Sequence, residues 1–220
     1  MRFGGLPIML TIRDQEILRT LALKVRMLSL DQLVQTWWKA TATGKANARR
    51  RLAALVANKL VRLAHVQARP LPELSAPVSA WKPGQSEPHF GAIAWQLQSR
   101  WRWPPRRTSV YVATQKTANQ YGGRLRGTIR HDLQVTHDLG VAQVYLQLLS
   151  TNPKAAKQWV GEDVLRLTHR REKLPDAVIA SPSVGSDIRL VIEFGGAYNA
   201  RRVQRFHNHC AAQHLPYELW

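Results

Sequence analysis

Two acidic residues in the C-terminal part of the chain stand at positions suited to metal chemistry. Asp176 lies just after a proline in the apolar run LPDAVIAS, and Glu193 lies near the end of the next apolar run, IRLVIEF. Both runs have the composition of β-strands, so the two carboxylates are expected at the ends of neighbouring strands. Carboxylate oxygens are the usual protein ligands of hard divalent cations. The pair therefore predicts a divalent metal site, with Asp176 and Glu193 as metal ligands and catalytic residues.

A structural role for the same two carboxylates is the alternative. They would then cap the ends of the strands or form ion pairs with nearby arginines, namely Arg189, Arg201 or Arg202.

The elements around this pair are predicted in the order α-β-β-β-α-β. Apolar residues at helical spacing indicate a helix over 136–149 and another over 199–214. Three apolar runs and the closing stretch LPYELW have the pattern of strands. The predicted strands are 159–167, 174–181, 188–194 and 215–220.

The first half of the chain has a different pattern, of three amphipathic helices followed by a strand. The helices are predicted over 11–28, 29–38 and 45–60, with Thr11 and Ser29 as N-caps. The strand that follows is predicted over 61–68. This order is typical of a winged helix-turn-helix, in which the third helix enters the major groove of DNA and the strands form the wing.

The returning strand of the predicted wing comes late in the sequence. A period-two pattern over 107–115 predicts that strand, and the segment 68–106 before it holds seven of the chain's twelve prolines. We therefore interpret 68–106 as an insertion within the wing, containing one short helix. Four tryptophans of the insertion fit either stacking on bases or a small satellite core, and the core interpretation is favoured. They are Trp81, Trp95, Trp101 and Trp103.

Net charge separates the two halves of the chain. Of the overall +18, residues 1–130 carry +17, from 22 Lys and Arg against 5 Asp and Glu, and residues 131–220 carry only +1. A surplus of this size indicates a polyanionic partner, most simply nucleic acid. The candidate DNA contacts are basic or amide side chains of the third helix, the wing with its insertion, and the glycine-rich linker at 121–130. They are Lys45, Asn47, Arg49, Arg50, Arg62, Arg100, Arg102, Arg106, Arg107, Arg124 and Arg126.

Cysteine content and apolar runs restrict the class of protein further. The single cysteine, Cys210, excludes an intrachain disulfide and a cysteine-based zinc module. The N-terminus does not have the pattern of a signal peptide, and no apolar run is long enough to cross a bilayer. A cytoplasmic protein without membrane association is expected.

The second half resembles the PD-(D/E)XK nuclease fold, because a "PD" on one strand precedes an acid on the next. In that fold the two acids hold Mg²⁺ or Mn²⁺ and a lysine two residues after the second acid activates the attacking water. The resemblance implies these metal-binding roles for Asp176 and Glu193. Gly195 stands where the lysine is expected, which favours loss of cleavage, although Arg201 or Arg202 could substitute for it in stabilising a transition-state phosphate.

A second resemblance covers both halves of the chain. The segments LTIRDQEIL, ARRRLAALVANKLV, HDLGVAQVYLQLL, PDAVI and VIEFGG are similar to the replication-relaxation family of plasmids and other mobile elements. This resemblance implies DNA binding linked to replication or mobilisation, with a winged helix and a nuclease-like half.

The favoured hypothesis is a two-domain α+β or α/β protein, with a winged-helix domain over 1–125 and a PD-(D/E)XK-like αβββαβ domain over 126–220. It binds duplex DNA through the first domain, and the second, without cleavage activity or cofactor, serves dimerisation, docking of replication or mobilisation proteins, or further DNA contact. Two alternatives stay open. One is a Mg²⁺- or Mn²⁺-dependent DNA endonuclease using Asp176 and Glu193, and the other is a winged-helix transcriptional regulator.

Overall fold

The structure, a computed structural model, describes residues 8–123, 132–165, 174–181 and 187–220. Over these residues the chain is mixed α+β with two sheets, as the sequence predicts. Its first half contains, in chain order, α1 (Ile12–Leu23), β1 (Leu28–Ser29), α2 (Leu30–Trp37), α3 (Ala42–Ala57), β2 (Val61–Ala68), β3 (Ser79–Trp81), α4 (Phe90–Ser99), β4 (Arg106–Ala113) and α5 (Gln115–Gln120). The second half contains α6 (Asp132–Thr151), α7 (Pro153–Lys157), β5 (Trp159–Gly161), α8 (Glu162–Leu165), β6 (Ala177–Ala180), β7 (Ile188–Glu193), α9 (Ala200–Ala212) and β8 (Tyr217–Leu219).

The chain divides into two compact units. Unit 1 takes in residues 1–68 and 105–142, and unit 2 takes in 69–104 and 143–220. This division differs from the predicted one in two places. The sequence places the insertion in the first domain, whereas β3 and α4 belong to unit 2 because they pack on its sheet and on α9. The boundary after residue 125 moves into α6, which is longer than the predicted helix over 136–149.

Unit 1 combines the helices α1, α2 and α3 with a three-stranded antiparallel sheet in the order β1-β4-β2. The long hairpin of this sheet pairs β2 with β4 from Val61 opposite Ala113 to Ala68 opposite Arg106. The predicted strands at 61–68 and 107–115 therefore do pair, even though the whole insertion separates them. Beyond β4 the chain forms the short helix α5, which the sequence does not predict: the predicted strand includes only its first residue, Gln115, and the predicted linker begins after its end.

Helix starts in unit 1 follow the capping signals in the sequence. Thr11 and Asp14 form a reciprocal capping box at α1, and Ser29 and Gln32 form another at α2. The predicted end of the first helix at 28 is wrong, because α1 ends at Leu23. The reason is that Leu28 and Ser29 pair with the central strand β4 and so leave the helix for the sheet.

Unit 2 is built on a five-stranded sheet in the order β3-β8-β7-β6-β5. Only β7 and β8 run parallel, and the other neighbours are antiparallel. The helices α4 and α9 contribute to the apolar core of this unit, which includes Leu97, Val191, Phe206 and Leu219. Among the described residues, no helix has the combination of length and apolar character that crossing a membrane requires.

The predicted strand over 159–167 is much shorter than expected. Strand β5 ends at Gly161, and Glu162 begins the one-turn helix α8. Glu162 and Asp163 lie in the first turn of α8, where negative charge is favourable because the backbone N–H groups point at it. Residues 166 and 167 of that prediction lie outside the described residues.

Candidate functional site

The structure brings Asp176 and Glu193 together at the end of the β6–β7 pair. Ala177 pairs with Ile192 across these antiparallel strands, so the two acids occupy the next position along. The backbone N–H of Asp176 donates to Oε2 of Glu193 at 3.3 Å, and the backbone N–H of Phe194 donates to Oδ2 of Asp176 at 2.8 Å. Glu193 therefore accepts from the backbone of its partner, and Asp176 accepts from the backbone of the residue that follows its partner. The pair extends the hydrogen bonding of the sheet by side chains.

Glu193 is also held from the side of α9. It is buried, and Oε1 accepts a hydrogen bond of 2.5 Å from the Tyr198 hydroxyl. Burial, followed by the nearby charge of Glu193, raises the pKa of Tyr198 well above its ordinary value, so the hydroxyl stays protonated and remains a donor.

A guanidinium group completes this arrangement. Nη2 of Arg202 donates to the Tyr198 hydroxyl oxygen at 3.0 Å, and Cζ of Arg202 lies 3.8 Å from the centroid of the Tyr198 ring. Arg202, a proposed substitute for the missing lysine, is thus bound to the tyrosine. Arg201, the other proposed substitute, is exposed in the first turn of α9.

The position of the expected lysine is filled from a distant part of the sequence. A Cβ atom at Gly195 would lie 2.8 Å from Cδ1 and 3.0 Å from Cδ2 of Leu97, which is fully buried on α4, and 3.1 Å from Cδ1 of Leu219. These distances are shorter than carbon–carbon van der Waals contact. A longer side chain at Gly195 requires Leu97 or the backbone to move.

The end of α4 is fastened to the backbone around Gly195. Gln98 donates from Nε2 to the Tyr198 carbonyl at 3.1 Å, and the Trp101 indole N–H donates to the Gly196 carbonyl at 2.8 Å. Nη2 of Arg100 donates to a Trp220 backbone oxygen at 2.8 Å, and Gly195 donates its own N–H to the same residue's oxygen at 2.8 Å. The insertion therefore packs against the backbone that follows Glu193 and against the C-terminal residue.

These surroundings fit a divalent cation poorly. Oxygens of both carboxylates already accept hydrogen bonds from backbone N–H groups or from Tyr198, and a metal would have to displace some of them. Over the described ranges, no group of three or more His, Cys, Asp and Glu side chains could hold a metal ion. The pair has the geometry of strand-end carboxylates that stabilise the fold.

The predicted third-helix residues lie on the solvent side of α3 in unit 1. Asn47, Arg49 and Arg50 are exposed, while Leu52 and Leu55 on the same helix are fully buried. Nη2 of Arg50 donates to Oδ1 of Asn47 at 2.9 Å, so this pair is already oriented.

Two further basic residues of α3 are engaged by acids. Nζ of Lys45 lies 2.8 Å from Oδ1 of Asp31, in an ion pair in which both side chains are well exposed. Arg51, which the sequence analysis did not select, binds Asp14, whose side chain is fully buried. An exposed pair of this kind is weak and can be exchanged for a phosphate, whereas the Arg51–Asp14 pair is part of the fold.

An open groove in unit 1 collects basic residues from α1, from α3 and from the turn between α2 and α3. Asn47 and Arg50 line it together with Arg13 from the start of α1 and Lys39 from the turn between α2 and α3. Cζ of Arg13 lies 4.7 Å from the centroid of the Trp38 ring, which orients its guanidinium. Arg13 and Lys39 are not predicted from the sequence, because neither stands in a basic run and only the packing of α1 and α2 on α3 brings them to the groove.

The turn before α3 depends on a glycine. A Cβ atom at Gly44 would lie 1.9 Å from the backbone oxygen of Lys39, and Thr41 caps the helix by accepting the N–H of Gly44 at 3.1 Å. Only glycine permits this close approach of α3 to the preceding turn.

Basic residues of the β2–β4 hairpin lie at both of its ends. Arg106 and Arg107 are exposed opposite Ala68 and Gln67, and Arg62 is exposed at the other end of β2, opposite Val112. A strand rises about 3.3 Å per residue, so about 20 Å separates Arg62 from the far end of the hairpin. The candidates Arg124 and Arg126 lie outside the described residues.

The arginines and tryptophans of the insertion do not behave as one group. Arg100 is half-buried and its guanidinium carbon lies 5.3 Å from the Phe194 ring centroid; burial lowers the pKa of Arg100 to about 10. These contacts give Arg100 a structural role, whereas Arg102 is exposed. Of the four tryptophans, Trp81 is buried and Trp101 is half-buried, but Trp95 and Trp103 are 71% and 68% exposed.

Comparison with protein-family models finds no match, and comparisons with curated proteins and with solved structures find none either.

Proposed function

We propose that this protein binds duplex DNA through unit 1 and that unit 2 is a nuclease-like scaffold without cleavage activity. The observation that carries the proposal is the exposed basic face of α3, with Asn47, Arg49 and Arg50 oriented outward beside the groove that contains Arg13 and Lys39. A predominantly basic surface in the half of the chain that carries +17 suits the phosphate backbone of DNA.

The topology of unit 1 supports a winged-helix mode of binding. Its order α1-β1-α2-α3-β2-β4, with β2 and β4 as a long hairpin, matches the winged-helix interpretation. In that mode α3 inserts its solvent side into the major groove, and Arg106 and Arg107 at the tip of the hairpin contact phosphates. Asn47 is suited to an adenine edge, and Arg49 and Arg50 are suited to guanine edges or phosphates.

The surroundings of Gly195 support the absence of cleavage from unit 2. A general base or a water-activating lysine is missing at that position. Leu97 occupies the space that the Cβ atom of such a residue would need. The order of β5, β6, β7, α9 and β8 remains compatible with a PD-(D/E)XK-like fold. By the similarity of its motifs we further propose a role in replication or mobilisation of a mobile element.

One observation favours a second candidate function, a Mg²⁺- or Mn²⁺-dependent DNA endonuclease. Asp176 and Glu193 are adjacent, as the two acids of such an enzyme must be. The endonuclease requires a cation to displace the hydrogen bonds that these carboxylates now accept. It is therefore tested together with the binding function.

The binding test measures the affinity for a random-sequence duplex as a function of salt concentration. The double variant Arg49→Ala/Arg50→Ala is expected to lose about tenfold or more in affinity, and the slope of log affinity against log salt should fall by about 2 if both arginines contact phosphate. Lys154→Ala, at an exposed position of α7, is the matched control and should bind like the wild type. Unchanged affinity in the double variant contradicts the assignment of α3.

The cleavage test incubates supercoiled, linear and single-stranded DNA with wild type or Glu193→Ala in Mg²⁺ or Mn²⁺. We expect no cleavage by a preparation that binds DNA. Cleavage that requires the metal and disappears in Glu193→Ala would establish the endonuclease instead.

A further inference from the structure

Two tryptophans of unit 2 lie in solvent although the same segment buries two others. Trp95 on α4 is 71% exposed and Trp103, four residues beyond the end of that helix, is 68% exposed. Trp81 and Trp101 already supply the aromatic packing of this segment, against Tyr217 and Phe194 respectively. The fold therefore does not account for the two exposed indoles.

The two indoles are set in polar surroundings. The inner side of α4 presents Ile93, Ala94 and Leu97 to the core, and its exposed residues other than Trp95 include Gln96, Gln98 and Ser99. Arg102 is exposed immediately before Trp103. A partner that buries an apolar surface, such as another protein or the interior of a membrane, needs a contiguous apolar patch, and isolated indoles among polar side chains do not provide one.

The charge of this segment points to a polyanion. Residues 88–104, the part of unit 2 that carries both indoles, contain Arg100 and Arg102 and no Asp or Glu. Isolated aromatic faces combined with a positive surface are the combination by which proteins hold unpaired nucleotides, because bases stack on the rings while the arginines contact the phosphates. Paired bases in a duplex have both faces covered by their neighbours, so stacking on a side chain requires bases that are unpaired.

The chain between the two indoles limits how far apart they lie. Four residues of helix contribute about 6 Å and four further residues at most about 14 Å, so the two Cα atoms are at most about 20 Å apart. Bases stacked at about 3.4 Å per nucleotide cover that distance in about six nucleotides. One short single strand can contact both side chains.

We propose that Trp95 and Trp103 of unit 2 stack on unpaired bases, with Arg102 contacting the phosphates between them, and that the protein thereby binds single-stranded or unwound DNA. This inference rests on the proposed function in that its ligand is DNA. It adds a second binding surface, which recognises unpaired bases, whereas α3 recognises duplex DNA. The two surfaces together suit a protein that acts where a duplex is opened.

The test uses the full-length protein and three fluorescently labelled ligands. They are a single-stranded oligothymidylate, a strand of the same length in which every nucleotide is abasic, and a random-sequence duplex. The double variants Trp95→Ala/Trp103→Ala, Trp95→Leu/Trp103→Leu and Trp95→Phe/Trp103→Phe are compared with the control Gln96→Ala, an exposed position beside Trp95. Circular dichroism and thermal unfolding verify that each variant folds.

Affinity for oligothymidylate should fall by about tenfold or more per lost ring in the alanine and leucine variants, because leucine retains apolar area but has no ring face. The phenylalanine variant should retain most of the affinity. Wild type should bind the abasic strand more weakly than oligothymidylate, and all variants should bind the duplex like the wild type.

Several results would overturn the inference. One is unchanged binding of oligothymidylate by the alanine variant, and another is equal binding of the abasic and thymidylate strands by the wild type. A leucine variant that binds as tightly as wild type would indicate apolar docking instead. Tryptophan-dependent binding to phosphatidylglycerol vesicles without such dependence on DNA would indicate a membrane surface. In each case, retained duplex binding shows that the proposed function stands, whereas wild-type protein that binds none of the three DNA ligands contradicts both.

Discussion

A Cβ atom placed on Gly195 would lie 2.8 Å from Cδ1 of Leu97, so the side chain of a helix in the insertion occupies the position from which a catalytic lysine would extend. Leu97 is fully buried, and the hydrogen bonds of Gln98 and Trp101 to the Tyr198 and Gly196 carbonyls fix the helix that carries it. A lysine introduced at Gly195 would therefore meet buried side chains, unlike a lysine introduced at an exposed glycine.

We predict that Gly195→Lys destabilises unit 2 and does not produce metal-dependent cleavage. Overpacking against Leu97 should lower the free energy of unfolding by about 1–3 kcal/mol. The matched control is Ala197→Lys, which adds the same side chain at an exposed position two residues further along. Denaturant unfolding and a plasmid-cleavage assay with Mg²⁺ or Mn²⁺ measure both properties. A Gly195→Lys variant that is as stable as Ala197→Lys and cleaves DNA would contradict the prediction.

The carboxylate pair could be predicted from the sequence, but the packing around it could not. Asp176 and Glu193 stand at the ends of apolar runs, and strand ends are visible as composition changes. Leu97 is far from Gly195 in sequence and lies in a helix that the proline-rich flanks assign to a separate insertion. Only the pairing of β3 with β8 and the packing of α4 on α9 place the insertion in unit 2.

In unit 1 the sequence predicts correctly the features that depend on one short segment, such as the starts of α1 and α2. The caps Thr11 and Ser29 specify where α1 and α2 begin, because each side chain binds a backbone N–H within the same turn. The end of α1 depends instead on the pairing of β1 with a strand from residues after the insertion. The basic groove likewise depends on tertiary packing, so Arg13 and Lys39 could not be selected from the sequence.

Tyr198→Phe should destabilise unit 2 because the buried carboxylate of Glu193 loses a hydrogen-bond donor. The expected loss is about 1–3 kcal/mol in the free energy of unfolding. A double-mutant cycle with Glu193→Gln isolates the interaction, since the neutral amide depends less on the hydroxyl. Additive effects of the two substitutions would show that the hydroxyl does not stabilise the charge of Glu193.

Alanine substitutions at Arg100 and Arg102 should have different effects: the first should lower stability, and the second should weaken DNA binding. Arg100→Ala removes the hydrogen bond to the Trp220 backbone oxygen and the packing on Phe194, and we expect a loss of about 2 kcal/mol in stability with little change in DNA affinity. Arg102→Ala, at an exposed position, should leave thermal unfolding unchanged. It should reduce the salt slope for binding of single-stranded DNA by about 1. The opposite pattern in both variants would show that the structural and binding roles are reversed.

Gly44→Ala should impair the turn before α3. The added methyl group would approach the Lys39 backbone oxygen to 1.9 Å, and a backbone atom cannot move aside as a side chain can. We expect a loss of about 2 kcal/mol or more in stability, together with weaker duplex binding because α3 shifts relative to α2. Ala46→Gly, at an exposed position of α3, is the control for the helix propensity of glycine and should cost only about 1 kcal/mol. Equal stability of Gly44→Ala and wild type would exclude the close approach.

The ion pair of Asp14 with Arg51 should give unit 1 a characteristic dependence of stability on pH. Asp14 is fully buried, and although burial opposes its ionisation, hydrogen bonds from Arg51 and Thr11 outweigh that cost and hold the pKa of Asp14 below its ordinary value of 3.8. A carboxyl whose pKa is lower in the folded protein than in the unfolded chain stabilises the fold fully above the unfolded pKa. That contribution is lost as the pH falls through the folded pKa.

We therefore expect Asp14→Asn to lower the stability by about 2 kcal/mol at neutral pH, and the difference from wild type to shrink as the pH falls below 3.8. Thermal unfolding of both proteins between neutral pH and about pH 3 measures this difference. The other carboxyls titrate in both proteins, so their contribution to the pH dependence is removed by subtraction. Asp31→Asn, which breaks only the exposed pair with Lys45, is the control and should change stability by less than about 1 kcal/mol at any pH. A difference between wild type and Asp14→Asn that persists undiminished in acid would mean that the carboxylate acts through its shape and hydrogen bonds, and that its charge contributes nothing.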